Sequence, residues 1–208
     1  MYATLLGRMR ESFGTRCVVW FSLALCCCVG AGCAHGFHKA KDQQVTALAS
    51  YGDPRTDDPL WWIGEGDAKN VGLTFGYNYF LADNFALLAE FTPLRGYSQD
   101  GETIHAVEFQ LGFRGFFWSA DLSGPSKIGV FFDVAGGFMA ANARVPDRGT
   151  KSNLTADFGP GVEYRINEEW SIIGGYRLHH ISNIGPTETS NNPGQNDDRY
   201  YLGVGYSW

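Results

Sequence analysis

Residues 71–92 read VGLTFGYNYFLADNFALLAEFT, and the fold turns on how this stretch is parsed. Val71, Leu73, Phe75, Tyr77, Tyr79 and Leu81 share one parity, while Gly72, Thr74, Gly76 and Asn78 share the other. A period of two sends successive side chains to opposite faces of a strand, so one face is greasy and the other small and polar. After a tight break near Asp83, Phe85, Leu87, Ala89 and Phe91 resume the alternation, with Glu90 and Thr92 on the other side.

The same pattern recurs along the chain. Val107, Phe109, Leu111, Phe113 and Phe117 alternate with Glu108, Gln110, Gly112 and Arg114. Val130, Phe132, Val134 and Phe138 oppose Asp133 and several glycines, and Leu154, Ala156, Phe158, Val162, Tyr164 and Ile166 oppose Thr155, Asp157, Glu163 and Arg165. Two more strands are predicted over residues 170–182 and 199–208, and a weaker first one over 44–51. The predicted count is therefore eight, with no helical periodicity and no later run of about 18 apolar residues that would make a membrane helix.

A soluble sandwich also alternates, but its polar side is a lysine-rich surface. Here lysine is nearly absent from the strands, and the polar face carries small residues and isolated opposite charges. Glu90, Glu108, Asp133, Asp157 and Glu163 can be matched with Arg114, Arg165 and Arg177 across a narrow interior. This predicts an all-β fold, an eight-stranded antiparallel transmembrane β-barrel of the bacterial outer membrane, with lipid outside and a packed polar lumen. The charges read as a structural network, so free diffusion through the lumen is not expected. The closing RYYLGVGYSW puts Tyr200, Leu202, Val204, Tyr206 and Trp208 on one face, resembling the terminal assembly signal of outer-membrane barrels.

The remaining composition agrees. The chain has 208 residues and a formal charge of -6, which disfavours a nucleic-acid partner held by phosphate neutralisation. Arg8, Arg10 and Arg16 precede the apolar run CVVWFSLALCCCVGA, the pattern of an export signal. Residues 1–33 are therefore assigned to the signal and 34–208 to the barrel domain. Cleavage falls before Cys33, as in a lipoprotein, or near Ala34. All five cysteines lie within the signal, so the exported domain has no disulfide, thiolate zinc site or thiol nucleophile.

Barrels of this class have short periplasmic turns, longer outer loops and periplasmic termini. Residues 52–67, 95–101, 142–152 and 183–198 are polar and Gly, Pro or Asn rich, as outer loops should be; the inner connection 119–126 is longer than expected. The seventh strand then runs outward. On it Trp170, Ile172, Tyr176, Leu178, His180 and Ser182 share the lipid-facing parity, while Arg177 and His179 face the lumen. His180 and Ser182, about 6–7 Å apart at their bases, form the minimum for a serine nucleophile and its general base.

The segment GGYRLHHISNIG, the loop NNPGQN and the terminal YYLGVGYSW resemble the lipid A 3-O-deacylase family, the PagL-like acyloxyacyl hydrolases of the outer membrane. The specific match covers about the last forty residues. The resemblance implies a lipid esterase that removes the 3-linked acyl chain of lipid A from the outer wall of the barrel. It makes His180 the base, Ser182 the nucleophile and Asn183 a candidate for steadying the oxyanion or the site geometry. It also exposes a departure: where the family places a glutamate to orient the histidine, this chain offers Asn196, with Glu188, Asp197 and Asp198 as alternative acids. The alternative function is a non-catalytic outer-membrane anchor or structural barrel derived from that family.

Trp170, Tyr176 and Leu178 are the candidate substrate-binding residues, and Gly174 and Gly175 permit a bend or hollow beside them. Tyr51, Trp61, Trp62, Tyr97, Trp118 and Trp170 read as interfacial girdle aromatics. His35, His38 and His105 have no metal-ligand spacing with carboxylates, and no cofactor is expected. The expected partners are the membrane and an outer-leaflet lipid, lipid A above all; no motif encodes the oligomeric state.

Overall fold

A computed structural model describes residues 36–55, 68–97, 101–146, 149–183 and 194–208. The export signal, Trp61, Trp62 and Glu188 lie outside the described residues. Eight strands follow one another: β1 (Gln43–Pro54), β2 (Lys69–Ala82), β3 (Phe85–Tyr97), β4 (Thr103–Asp121), β5 (Lys127–Val145), β6 (Thr150–Arg165), β7 (Trp170–Asn183) and β8 (Gln195–Ser207). Each pairs antiparallel with its neighbours, and β1 closes onto β8 to form a barrel. Closure removes both sheet edges, the condition for backbone to cross hydrocarbon without orphaned hydrogen-bonding groups.

The alternation holds in three dimensions. Val71, Leu73, Phe75, Tyr77, Phe91, Phe109, Leu111, Leu154 and Leu202 are exposed on the outer wall, and Thr74, Asn78, Glu90, Glu108, Gln110, Arg114 and Thr155 are buried in the lumen. A soluble protein would hide the first group; a lipid-solvated wall presents it. Trp118 has lumen parity by strict counting, but a bulge between Phe116 and Trp118 turns it to the outer wall beside Phe117.

Several strands run longer than the apolar pattern predicts. β4 and β5 extend to Asp121 and from Lys127, so the expected long inner connection is a short turn, 122–126, closed by the Leu122 N–H donating to Ser126 O at 2.9 Å. β8 starts at Gln195, because its polar first residues, which read as loop, line the lumen or the outer rim.

The lumen is filled in tiers. At the foot, residues 36–42 fold back into the barrel: Phe37 stacks on Phe116 at 4.9 Å and His38 on Phe80 at 4.0 Å, among Leu48, Phe131, Ile173 and Tyr201. His38 takes a bond from Arg165 Nη2 on Nδ1 at 2.7 Å and turns Nε2 toward Glu163 at 3.3 Å. It is thus a buried plug residue, whereas the sequence placed it only in the stretch after the export signal. Gly161 makes room here, since a Cβ there would stand 2.2 Å from Phe131 Cζ.

Above the foot, Arg114 grips Asp133 with two bonds of 2.8 and 2.9 Å, and Arg177 bridges Glu90 at 2.6 and 2.9 Å and Asp133 at 2.7 Å. Higher still, Arg199 reaches Glu108 and Asp157 at 3.1 Å each. Arg199, read from sequence as the start of a strand, is thus a third buried guanidinium. The mouth is lined by an apolar cup that includes Leu94, Ile104, Met139, Val145 and Ile181.

Candidate active site on the outer wall

The termini and short turns share one end, and the longer connections share the other, so β7 rises toward the outer leaflet. Ser182 lies twelve residues above Trp170. At about 3.3 Å per residue and a tilt near 45°, that is roughly 28 Å of height, enough to cross an apolar band of about 25 Å. The upper end of β7 therefore sits at the outer interface.

His180 and Ser182 stand half-buried on the outer wall, while Arg177 and His179 are buried in the lumen. In the β7–β8 ladder His180 is opposite Asn196, and its Nδ1 meets Asn196 Oδ1 at 2.7 Å. With an amide oxygen facing it, Nδ1 carries the proton, which leaves Nε2 as the basic nitrogen of the ring. Asn196 is 1% exposed, so this contact is shielded from water. Gly194 packs against the other edge of the ring: a Cβ there would stand 3.2 Å from His180 Cε1. A larger residue would crowd the edge through which Nε2 is reached. Among the described residues the Ser182 hydroxyl makes no hydrogen bond to His180. Such pairs commonly tighten only when substrate closes the site.

The other predicted residues divide. Tyr176 donates its hydroxyl to Asp198 at 2.6 Å, and Arg55 meets the same carboxylate at 3.1 Å, a small polar group one step below His180 that periodicity did not reveal. Asp198 is thereby committed and sits opposite Leu178, not His180. Asp197 faces the lumen, held by Gln195 at 2.6 Å and Asn70 at 3.0 Å, so it cannot orient His180. Asn183 is buried on the lumen side, where its Oδ1 takes a bond from Thr150 at 3.3 Å. Trp170 packs on Tyr206 at the terminus-bearing end, about 33 Å of strand away from His180.

Small residues occupy the outward row of the wall beside His180. Across the sheet His180 is paired with Ala156, and Ala156 with Gly136. The row above contains Ser182, Leu154 and Phe138, and the row below Leu178, Phe158 and Val134. At strand spacings near 4.8 Å this makes an apolar trough about 10 Å long running away from the imidazole. Just below it, Pro160, which has no N–H to give, interrupts the β6–β7 ladder beside Tyr176.

The outer-membrane protein β-barrel domain family matches residues 24–208, and the chain belongs to that family. It is therefore a barrel of the outer membrane. No curated protein sequence matches the chain. Among solved structures, the outer membrane enzyme PagL is similar with 18% identity and a TM-score of 0.52, covering 76% of this chain and 97% of that one. The E. coli outer membrane protein W is as similar in shape: 15% identity, a TM-score of 0.52, 83% of this chain and 100% of that one. At these identities the likeness concerns the fold alone.

Proposed function

We propose that this barrel is a lipid esterase that cleaves an ester-linked acyl chain from an outer-leaflet lipid, the 3-linked chain of lipid A being the preferred substrate. The observation that carries the reading is the 2.7 Å contact between His180 Nδ1 and Asn196 on the lipid-facing wall, two residues along the strand from Ser182. An outward imidazole held through Nδ1 by a shielded partner has the orientation that a general base needs. In this reaction Ser182 Oγ attacks the ester carbonyl carbon while His180 Nε2 takes its proton. The same nitrogen then returns the proton to the departing alcohol, and water, deprotonated in turn, releases the fatty acid. The Gly136–Ala156 trough would receive the acyl chain.

Asn196 limits the chemistry. An amide fixes the tautomer but does not stabilise the imidazolium as a carboxylate does. That substitution favours the second reading, an anchor or structural barrel without turnover. Refolded protein incubated with lipopolysaccharide or a short-chain ester in detergent, with fatty-acid release followed by mass spectrometry, separates the two. Release that vanishes in Ser182→Ala and His180→Ala supports the esterase. Release undiminished in both variants sinks the site, and no release from any ester supports the structural reading.

A further inference from the structure

One buried cluster is left unexplained by the lumen's ion pairing. His179, Glu108 and Asp157 are completely enclosed, and His179 Nε2 lies 3.4 Å from Glu108 Oε1 and Nδ1 3.5 Å from Asp157 Oδ1. Yet none of these four atoms makes a hydrogen bond. Leaving one buried polar atom unpaired costs about 1–3 kcal/mol, so four facing one another require a common explanation.

Two further observations narrow it. The buried tiers around the cluster contain three guanidiniums, Arg114, Arg177 and Arg199, against five carboxylates, Glu90, Glu108, Asp133, Asp157 and Asp197. With His179 neutral and all five carboxylates ionised, two negative charges would stand in excess in a water-poor interior where unpaired charge is expensive, so a cation or bound protons must balance them. Arg199, moreover, binds Glu108 and Asp157 through Oε2 and Oδ2 at 3.1 Å each, which turns Oε1 and Oδ1 toward the imidazole. That is the outer-shell arrangement by which proteins aim carboxylate ligands at a metal.

We infer that Glu108, Asp157 and His179 form a binding site for one divalent first-row transition ion inside the barrel. One oxygen or nitrogen from each residue can be chosen so that all lie within 4.8 Å of one another. Metal–ligand bonds of about 2.0–2.2 Å put neighbouring ligands about 3 Å apart and opposite ones about 4.3 Å apart, so one nitrogen of His179 would bind and the two carboxylates would draw in around the ion. An imidazole with two carboxylates suits zinc, manganese or cobalt better than calcium or magnesium, which take oxygen shells. The two positive charges would bring the buried tiers to neutrality. The three residues come from β4, β6 and β7, so the ion would tie together strands that are distant in sequence. This site faces the lumen and is independent of the esterase reading.

The test uses chelator-stripped barrel refolded in detergent, with Co2+ added after refolding in one arm and throughout refolding in another. The expected result is one Co2+ per chain with visible d–d absorption, displaced by Zn2+, and a melting temperature raised by several degrees. His179→Gln and Glu108→Gln should each weaken uptake at least tenfold. Absence of uptake in both arms, or uptake equal in both variants, overturns the site. Because these side chains also fill the lumen, X-ray absorption of the unaltered Zn2+-loaded barrel provides a check that needs no variant. An imidazole nitrogen with carboxylate oxygens supports the site, and an all-oxygen shell overturns it.

Discussion

His179 and His180 are chain neighbours on opposite faces of one strand, and the contrast between their surroundings separates the two halves of this molecule. His179 lies in a lumen packed with buried carboxylates and guanidiniums, enclosed between Glu108 and Asp157. His180 lies on a wall that lipid would solvate without help, next to Ala156 and Leu178 and touching Asn196. Polarity on the inside is what the fold demands. Polarity on the outside is something the fold merely tolerates, and at the rim the cost of such a side chain is about 0–1 kcal/mol.

Substitutions on the two faces should therefore break different properties. Arg177→Ala strands Glu90 as a buried charge and leaves Asp133 to Arg114 alone, and should cost about 3–5 kcal/mol, read as a fall in urea midpoint. Ser182→Ala should move that midpoint by no more than about 0.5 kcal/mol while removing fatty-acid release. Equal destabilisation by the two changes would erase the contrast. Asn196→Asp sharpens it on the outer face alone: a carboxylate against Nδ1 should raise kcat/KM for ester cleavage about tenfold or more, since the opposite exchange is severe in serine hydrolases.

A smaller effect is expected at the foot. Burial pushes the His38 imidazole below its ordinary value, more than Glu163 pulls it up. The unfolded chain therefore binds the proton more readily, and the stabilisation is complete above about pH 6.5 and lost as pH falls below it. Protonation would also abolish the acceptor that Arg165 uses. Melting temperature should drop between pH 7.5 and 5.5, and His38→Phe should flatten that dependence. Smallest of all, Tyr176→Phe loses one half-buried hydrogen bond to Asp198 and should cost about 1 kcal/mol in the same urea assay.

The barrel was largely written in the alternation of residues 71–92, because lipid on one side and a narrow lumen on the other impose opposite chemistries at a fixed period. Strand ends were less visible. Gln195, Asn196, Asp197 and Asp198 look like loop until the inner and outer faces are known, and for that reason Arg199 reads as the start of a strand and not as a lumen cation. The bulge at Phe117 reverses the parity of Trp118, which no residue type announces. At the site, parity placed His180 and Ser182 outward, and the resemblance singled out Asn196; but Asn183 and Trp170 depended on distances that strand geometry, not motif, decides. The grouping of Glu108, Asp157 and His179 was illegible, since it joins three strands through cross-barrel space.

The apolar cup at the mouth and the aromatic stopper at the foot have a joint consequence for traffic across the envelope. A solute that wets the cup descends onto a lattice of locked guanidiniums and carboxylates, and beneath these Phe37 and Phe116 shut the floor. The molecule is a vessel with a bottom. Single-channel recordings in planar bilayers should therefore stay at the baseline.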